Sequence, residues 1–134
     1  MKHIQIFRFD ELDSTNSYAR REFAALPDGA LVVAGRQTAG RGRLGRLWHS
    51  EPGAGIYATL VMKECVEPFP ATMVISLGAL DMLRREMPDL GVWLKWPNDL
   101  YVEDRKLAGV LCETVLGPGN RLEGVIAGIG ININ

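Results

Sequence analysis

Four arginines and no acidic residue lie between Arg36 and Ser50, and Gly40, Gly42 and Gly45 are interleaved with Arg41, Arg43 and Arg46 in the run GRGRLGRLW. Each glycine adds backbone entropy that folding must remove, so this run makes a poor helix and a poor strand. A loop is predicted. Guanidinium forks can hold carboxylate or phosphate oxygens in pairs, and glycine lets backbone N–H groups approach the same anion. A solvated surface loop or an RNA-binding patch would use the same residue types.

Three further clusters could carry chemistry. In KWPND, Lys95 sits at a strand end, Pro97 forces an extended exit, and Asn98 with Asp99 supply an amide and a carboxylate; an ordinary Asx-turn fits these residues equally. In RKLAG, Lys106 opens an apolar strand and Gly109 leaves room for a close approach, although a lysine there can also snorkel. In DSTN, Ser14, Thr15 and Asn16 can cap a helix or present hydroxyl and amide groups. Asn132 and Asn134 close the last apolar strand as simple polar ends or as donors. His3 and His49 stand alone, without ligand spacing, and receive no role. No GxxxxGK[ST] or GxGxxG run occurs, so a bound nucleotide would be held in another way.

The elements that must position these groups follow from periodicity. A short strand is predicted over Ile4–Phe9, then a helix that starts at Asp13, Ser14 or Thr15 and ends at Pro27 and Gly29. ALVVAG and GIYATLVM read as strands joined by the arginine loop. From Pro70, Met73, Leu77 and Leu80 mark the inner face of an amphipathic helix ending before Pro88. VWLKWP, a strand stopped by Pro97, a hairpin turning at Glu103-Asp104, and the final run LEGVIAGIGININ complete an α+β fold with helices packed on a mixed, mainly antiparallel sheet.

Composition limits the function classes. The chain has 134 residues, 47% of them apolar, which suits one globular domain with a core. A formal charge of −1 opposes a broad nucleic-acid or anionic-membrane face, so the arginines mark a local site. Cys65 and Cys112 show no disulfide or zinc spacing and are expected to be buried thiols in a reducing cytoplasm. The polar start and the lack of a long apolar run predict neither signal peptide nor membrane span.

DSTN at 13–16, QTAGRGRLGRLW at 37–48, KWPNDLY at 95–101, RKLAGVLCE at 105–113 and GIGIN at 128–132, in that order, resemble the catalytic domain of biotin protein ligases. The resemblance implies activation of biotin with ATP as biotinyl-5'-AMP, with Mg²⁺, followed by transfer to a lysine of a biotin carboxyl carrier protein. Ser14, Thr15, Asn16, Gln37, Gly40, Arg41 and Gly42 would line the biotin ureido pocket, with Trp48 as an apolar wall and Gly109 giving room. Arg43 and Lys106 would meet the biotin carboxylate and then the adenylate. Arg41, Arg43, Arg46 and Lys95 would neutralise phosphate charge, Asn98 and Asn132 would read adenine or ribose, and Asp99 would help hold Mg²⁺ or position a basic side chain. Arg43, Lys106 and Lys95 are the catalytic candidates.

Two departures from that pattern shape the expectation. No winged helix precedes Ile4, so operator binding is not expected, and the chain reaches Asn134 where relatives continue, so an incomplete catalytic domain over 1–134 is expected. A homodimer is left open. The competing readings are a non-catalytic fragment that at most binds biotin and a lipoate or octanoate transferase.

Overall fold

The computed structural model describes residues 3–64 and 67–133. Among them, seven strands form one sheet: β1 (Ile6–Leu12), β2 (Leu31–Gln37), β3 (Gly55–Met62), β4 (Val92–Lys95), β5 (Asp99–Val102), β6 (Arg105–Leu116) and β7 (Leu122–Asn132). Their spatial order is β1-β2-β3-β7-β6-β5-β4. Helices α1 (Thr15–Arg21) and α2 (Pro68–Glu86) pack on the sheet. Only the β1–β2 pair, whose strands are linked through α1, is parallel; the other pairs are antiparallel, as the α+β reading predicts.

Boundaries differ from the predicted ones for identifiable reasons. β1 runs on to Leu12 because its parallel register with β2 continues through Glu11↔Arg36 and Leu12↔Gln37. α1 starts where DSTN predicts, with the extended Ser14 accepting from Ser17 N–H through Oγ at 3.3 Å. It stops at Arg21, and turns carry the chain to Pro27, which brings Phe23 and Leu26 into a core with Ala19, Val32, Val61 and Ile126.

α2 begins at Pro68, and its inner face corrects the predicted one in part: Leu80 packs against the core, while Leu77 does not. Ala71, Ser76, Ala79 and Leu83 are buried, whereas Leu77 is 48% exposed. Small residues at those positions let the helix axis approach the sheet closely, and close packing decides the rotation more than the positions of the largest apolar side chains. The second core joins Ala79 and Leu83 to Val92, Leu100, Ala108 and Ile131.

Successive strand residues face opposite sides of a sheet. On β6, Ala108 therefore faces α2, while Gly109, Leu111, Glu113 and Val115 face the α1 side, where Val115 joins the first core. β4 leads through the cis Trp96–Pro97 peptide to β5, and the β5–β6 hairpin turns at Glu103-Asp104 as predicted, with Glu103 at φ 52°. Cys112 is half-buried rather than buried, because its strand position lies beside the rim of a cavity near the α2 N-terminus; Cys65 and Asn134 lie outside the described residues. Among the described residues no helix is long and apolar enough to cross a membrane.

Candidate functional site

The α1 side of β6 and β7 carries a floor of glycines. Gly109 and Gly130 are register partners, and Gly128 pairs with Leu111 on the same face. A side chain at Gly130 would collide with the Trp48 indole, and one at Gly128 with the Asn16 carboxamide. At Gly109 a methyl group would stand 3.1 Å from both Trp48 Cζ3 and Lys106 Cε. Absent side chains thus give Trp48, Asn16 and Lys106 their places. The Lys106 ammonium lies 5.3 Å from the Trp48 ring centroid, within cation–π range, and 2.9 Å from Asp99 Oδ1. Trp48 Nε1 is buried and has no protein acceptor.

At the α1 end the floor meets a connected polar group. Ser14, Thr15 and Asn16 are 2%, 4% and 5% exposed. Gln37 Oε1 accepts from Thr15 N–H at 2.8 Å, and Gln37 Nε2 donates to Ser50 Oγ at 3.0 Å, which donates to Trp48 O at 3.1 Å. Asn16 Nδ2 donates to Leu111 O at 3.1 Å and to Glu113 Oε1 at 3.0 Å, an arrangement that fixes which way its amide points. The buried Thr59 hydroxyl lies 2.6 Å from Asn16 Oδ1 and 2.8 Å from Thr15 Oγ1. Asn16 Oδ1 can only accept, so the single Thr59 proton goes there.

The arginine run is a loop, as predicted, between β2 and β3. It makes a tight turn at Arg43–Gly45 and folds back on itself through an Arg41↔Leu47 bridge, with Leu44 at the tip in left-handed backbone. Gly42 N–H donates to Arg46 O at 2.7 Å, and Trp48 N–H to Gly40 O at 2.9 Å. Gly40 is buried there; a side chain would meet Trp48 O and crowd Gln37 and Ser50.

The loop arginines have different partners. Both terminal nitrogens of Arg41 donate to Glu113, at 3.2 and 2.8 Å, and Arg20 reaches the same carboxylate at 2.8 Å. Arg43 donates to Asn98 Oδ1 at 3.0 Å, and Asn98 Nδ2 in turn donates to Val110 O at 3.1 Å. Among the described residues no carboxylate lies within ion-pair distance of Arg43 or Arg46. Burial pushes the Glu113 carboxyl up, but the hydrogen bonds from Arg41 and Asn16 and the charges of Arg41 and Arg20 outweigh it and hold the group below its ordinary value.

These groups surround one cavity of about 450 Å³. Ser14, Thr15, Asn16, Gln37, Arg41, Gly42, Arg43, Arg46, Trp48, Asn98, Asp99, Lys106, Gly109 and Asn132 all line it. Asn132 Nδ2 also donates to Lys106 O at 3.2 Å. Gly40 lies behind the wall, and Lys95 does not line the cavity: its ammonium stands 5.3 Å from the Tyr101 ring centroid. The cavity has a neutral hydrogen-bonding end and a cationic end, joined by the glycine floor. An uncharged polar head, an apolar linker and an anionic tail would match these parts in turn.

Sequence reasoning missed Glu113, Thr59, Ser50, Gly128, Gly130 and His49, the last of which also lines the cavity. GIGIN carried a usable signal, since glycines two apart on a strand leave one face bare. Glu113 shares the face of Gly109 four residues on, which strand periodicity could have found. Nothing local distinguishes Thr59 from an ordinary strand threonine. As to a metal, no group of three or more His, Cys, Asp or Glu gathers among the described residues, and the Asp99 carboxylate already faces Lys106.

The chain belongs to the biotin/lipoate A/B protein ligase family, which it matches over residues 7–132. The bifunctional ligase/repressor BirA of Escherichia coli is 39% identical over 127 residues, 91% of this chain and 38% of that protein. The biotin protein ligase of Aquifex aeolicus, solved in complex with biotin and ATP, superposes with a TM-score of 0.77 at 35% identity, over 97% of this chain and 53% of its own. That of Leishmania major, solved in complex with biotinyl-5-AMP, gives 0.78 at 29% identity, over 96% and 57%. The chain thus spans between 38% and 57% of the length of these three proteins.

Proposed function

We propose that this chain binds biotin and ATP in the cavity under the arginine loop, forms biotinyl-5'-AMP, and passes the biotinyl group to a lysine of a biotin carboxyl carrier protein in the cytoplasm. The observation that carries this reading is the division of one cavity into a neutral end, with Ser14, Thr15, Asn16 and Gln37, and a cationic end, with Arg43, Arg46 and Lys106. A ureido group needs donors and acceptors together, and the first end has both. A carboxylate and a triphosphate need cations, which the second end supplies.

In the first step a biotin carboxylate oxygen attacks the α-phosphorus of ATP, the P–O bond to the β-phosphate breaks, and pyrophosphate leaves. Two anions must meet, so the barrier falls when fixed cations offset the developing charge. Lys106, Arg43 and Arg46 would supply that charge from the cavity lining; Asn98 accepts from the Arg43 guanidinium and Asp99 pairs with the Lys106 ammonium. In the second step a carrier lysine amine attacks the acyl carbon and AMP leaves. The loop's part is to keep water from the mixed anhydride in between.

Asn98 and Asn132 have amide groups for the nucleotide base or ribose. Lys95, outside the cavity lining and over the Tyr101 ring, takes no part in the first step. Magnesium enters with the triphosphate as part of the substrate; one paired carboxylate at Asp99 does not make a protein metal site. A lipoate or octanoate transferase is disfavoured, because an apolar dithiolane or acyl head would displace water from Thr15, Asn16 and Gln37 while offering nothing to their remaining hydrogen-bonding capacity. The test is ATP–pyrophosphate exchange. Exchange that depends on biotin supports the reading, and exchange driven equally by lipoate, or absent with both acids, contradicts it.

A further inference from the structure

Arg41 lies within the arginine run and touches the cavity, yet its guanidinium is turned onto a carboxylate of β6. Both terminal nitrogens donate to Glu113, which sits on β6 behind the cavity wall and does not itself line it. Glu113 Oε1 also accepts from Asn16 Nδ2, and Oε2 from Arg20. One half-buried carboxylate therefore joins the first turn of α1, the strand floor and the root of the arginine loop.

We propose that Glu113 is a positioning residue for ligand binding: through Arg41 it pins the root of the arginine loop, and through Asn16 it orients the amide at the neutral end of the cavity. Arg41 is the arm of this anchor and not a phosphate clamp. The assignment rests on the cavity being the biotin site, but the anchor itself is a property of the ligand-free protein. Two features fit it. The loop closes on its own backbone at Gly42 N–H to Arg46 O and Trp48 N–H to Gly40 O, so fixing Arg41 fixes the direction of the whole run. Beyond the anchor, Leu44 and Leu47 are 89% and 74% exposed and add no packing that could hold the loop down.

Glu113→Gln makes the separation. Its carbonyl can replace Oε1 and keep Asn16 and one Arg41 nitrogen, while its NH₂ then faces the other Arg41 nitrogen and Arg20, two donors that need an acceptor, and the negative charge between the two arginines is gone. Trypsin cleavage of the ligand-free full chain after Arg41 and Arg43, followed by mass spectrometry, reads how often the loop opens. Loss of a charge-assisted anchor predicts cleavage about tenfold faster in the variant, and biotin affinity weaker by about the same factor. In an Arg41→Met background, Glu113→Gln should weaken biotin binding no further. Circular dichroism of each variant reports folding, and Glu113→Asp, which keeps the charge, should recover part of the affinity.

Unchanged loop cleavage in Glu113→Gln overturns the anchor whatever the ligand is. An equal loss of biotin affinity with and without Arg41 overturns its action through Arg41. Faster cleavage combined with no biotin binding by the unmodified chain supports the anchor and overturns the ligand assignment.

Discussion

The Trp48 indole occupies the space in which a side chain at Gly130 would stand. The loop that carries the cations is thus seated on β7 by the absence of a methyl group. Gly130→Ala must move the indole or the strand, and a ring at the edge of a cavity moves more easily than a central strand. Biotin affinity should fall by roughly tenfold or more, with a change in tryptophan fluorescence. Gly109→Ala, whose added methyl would stand 3.1 Å from the same ring, should cost less. Titration calorimetry on the two variants checks the order, and an unperturbed Gly130→Ala would remove Trp48 from the site.

The buried Thr59 hydroxyl joins Thr15 to Asn16 beneath the neutral end of the cavity. Thr59→Val keeps the shape and leaves Asn16 Oδ1 without its donor. A buried group left unpaired costs about 1–3 kcal/mol, so denaturant melts should show a loss of that size. Biotin should also bind more weakly, since the Asn16 amide loses one of its restraints. A variant as stable as the parent and equal in affinity would mean that the network does not orient Asn16.

Asp13 accepts two hydrogen bonds from Arg21, at 2.7 and 2.9 Å. The hydrogen bond from Arg21 holds its carboxyl at about 2, down from 3.8. The folded value is below the unfolded one, so between them the unfolded chain binds more protons and stability rises with pH. The contribution is present above the unfolded value and is lost as pH falls through 3.8 towards about 2. Both side chains are substantially exposed, so solvent screening keeps the effect small. Asp13→Asn should lower the melting temperature slightly near neutral pH, less so in high salt, and not at all at about pH 2. Equal effects at both pH values would assign the loss to helix capping or packing instead.

The parts of the site legible in the sequence were those whose residue types are costly elsewhere. A glycine-interleaved arginine run, a lysine opening an apolar strand and a Trp-Pro-Asn-Asp exit each break a local rule, and such breaks concentrate where function is. The first strand was legible by alternation, the inner strands as compact apolar runs and the α1 start by DSTN, whereas α2 starts at Pro68, two residues before the Pro70 that its periodicity suggests. What the sequence hid depends on how elements meet. The inward face of α2 is set by Ala71, Ser76, Ala79 and Leu83, with Leu80 packed beside them and Leu77 turned outward. The Arg41–Glu113 pair joins residues 72 apart, a separation no local pattern encodes. Lys95 shows the opposite case: its strand-end place was read correctly, but its side chain turns to Tyr101, away from the cavity.

Titration of the chain with biotin and, in parallel, with lipoate tests the central claim most directly. The neutral end presents Ser14, Thr15, Asn16 and Gln37 as oriented polar groups with hydrogen-bonding capacity to spare, which a ureido ring can use and a dithiolane cannot. The account predicts saturable biotin binding, tighter still with ATP present, and no measurable binding of lipoate. Equal affinity for the two acids, or binding of neither, would contradict it.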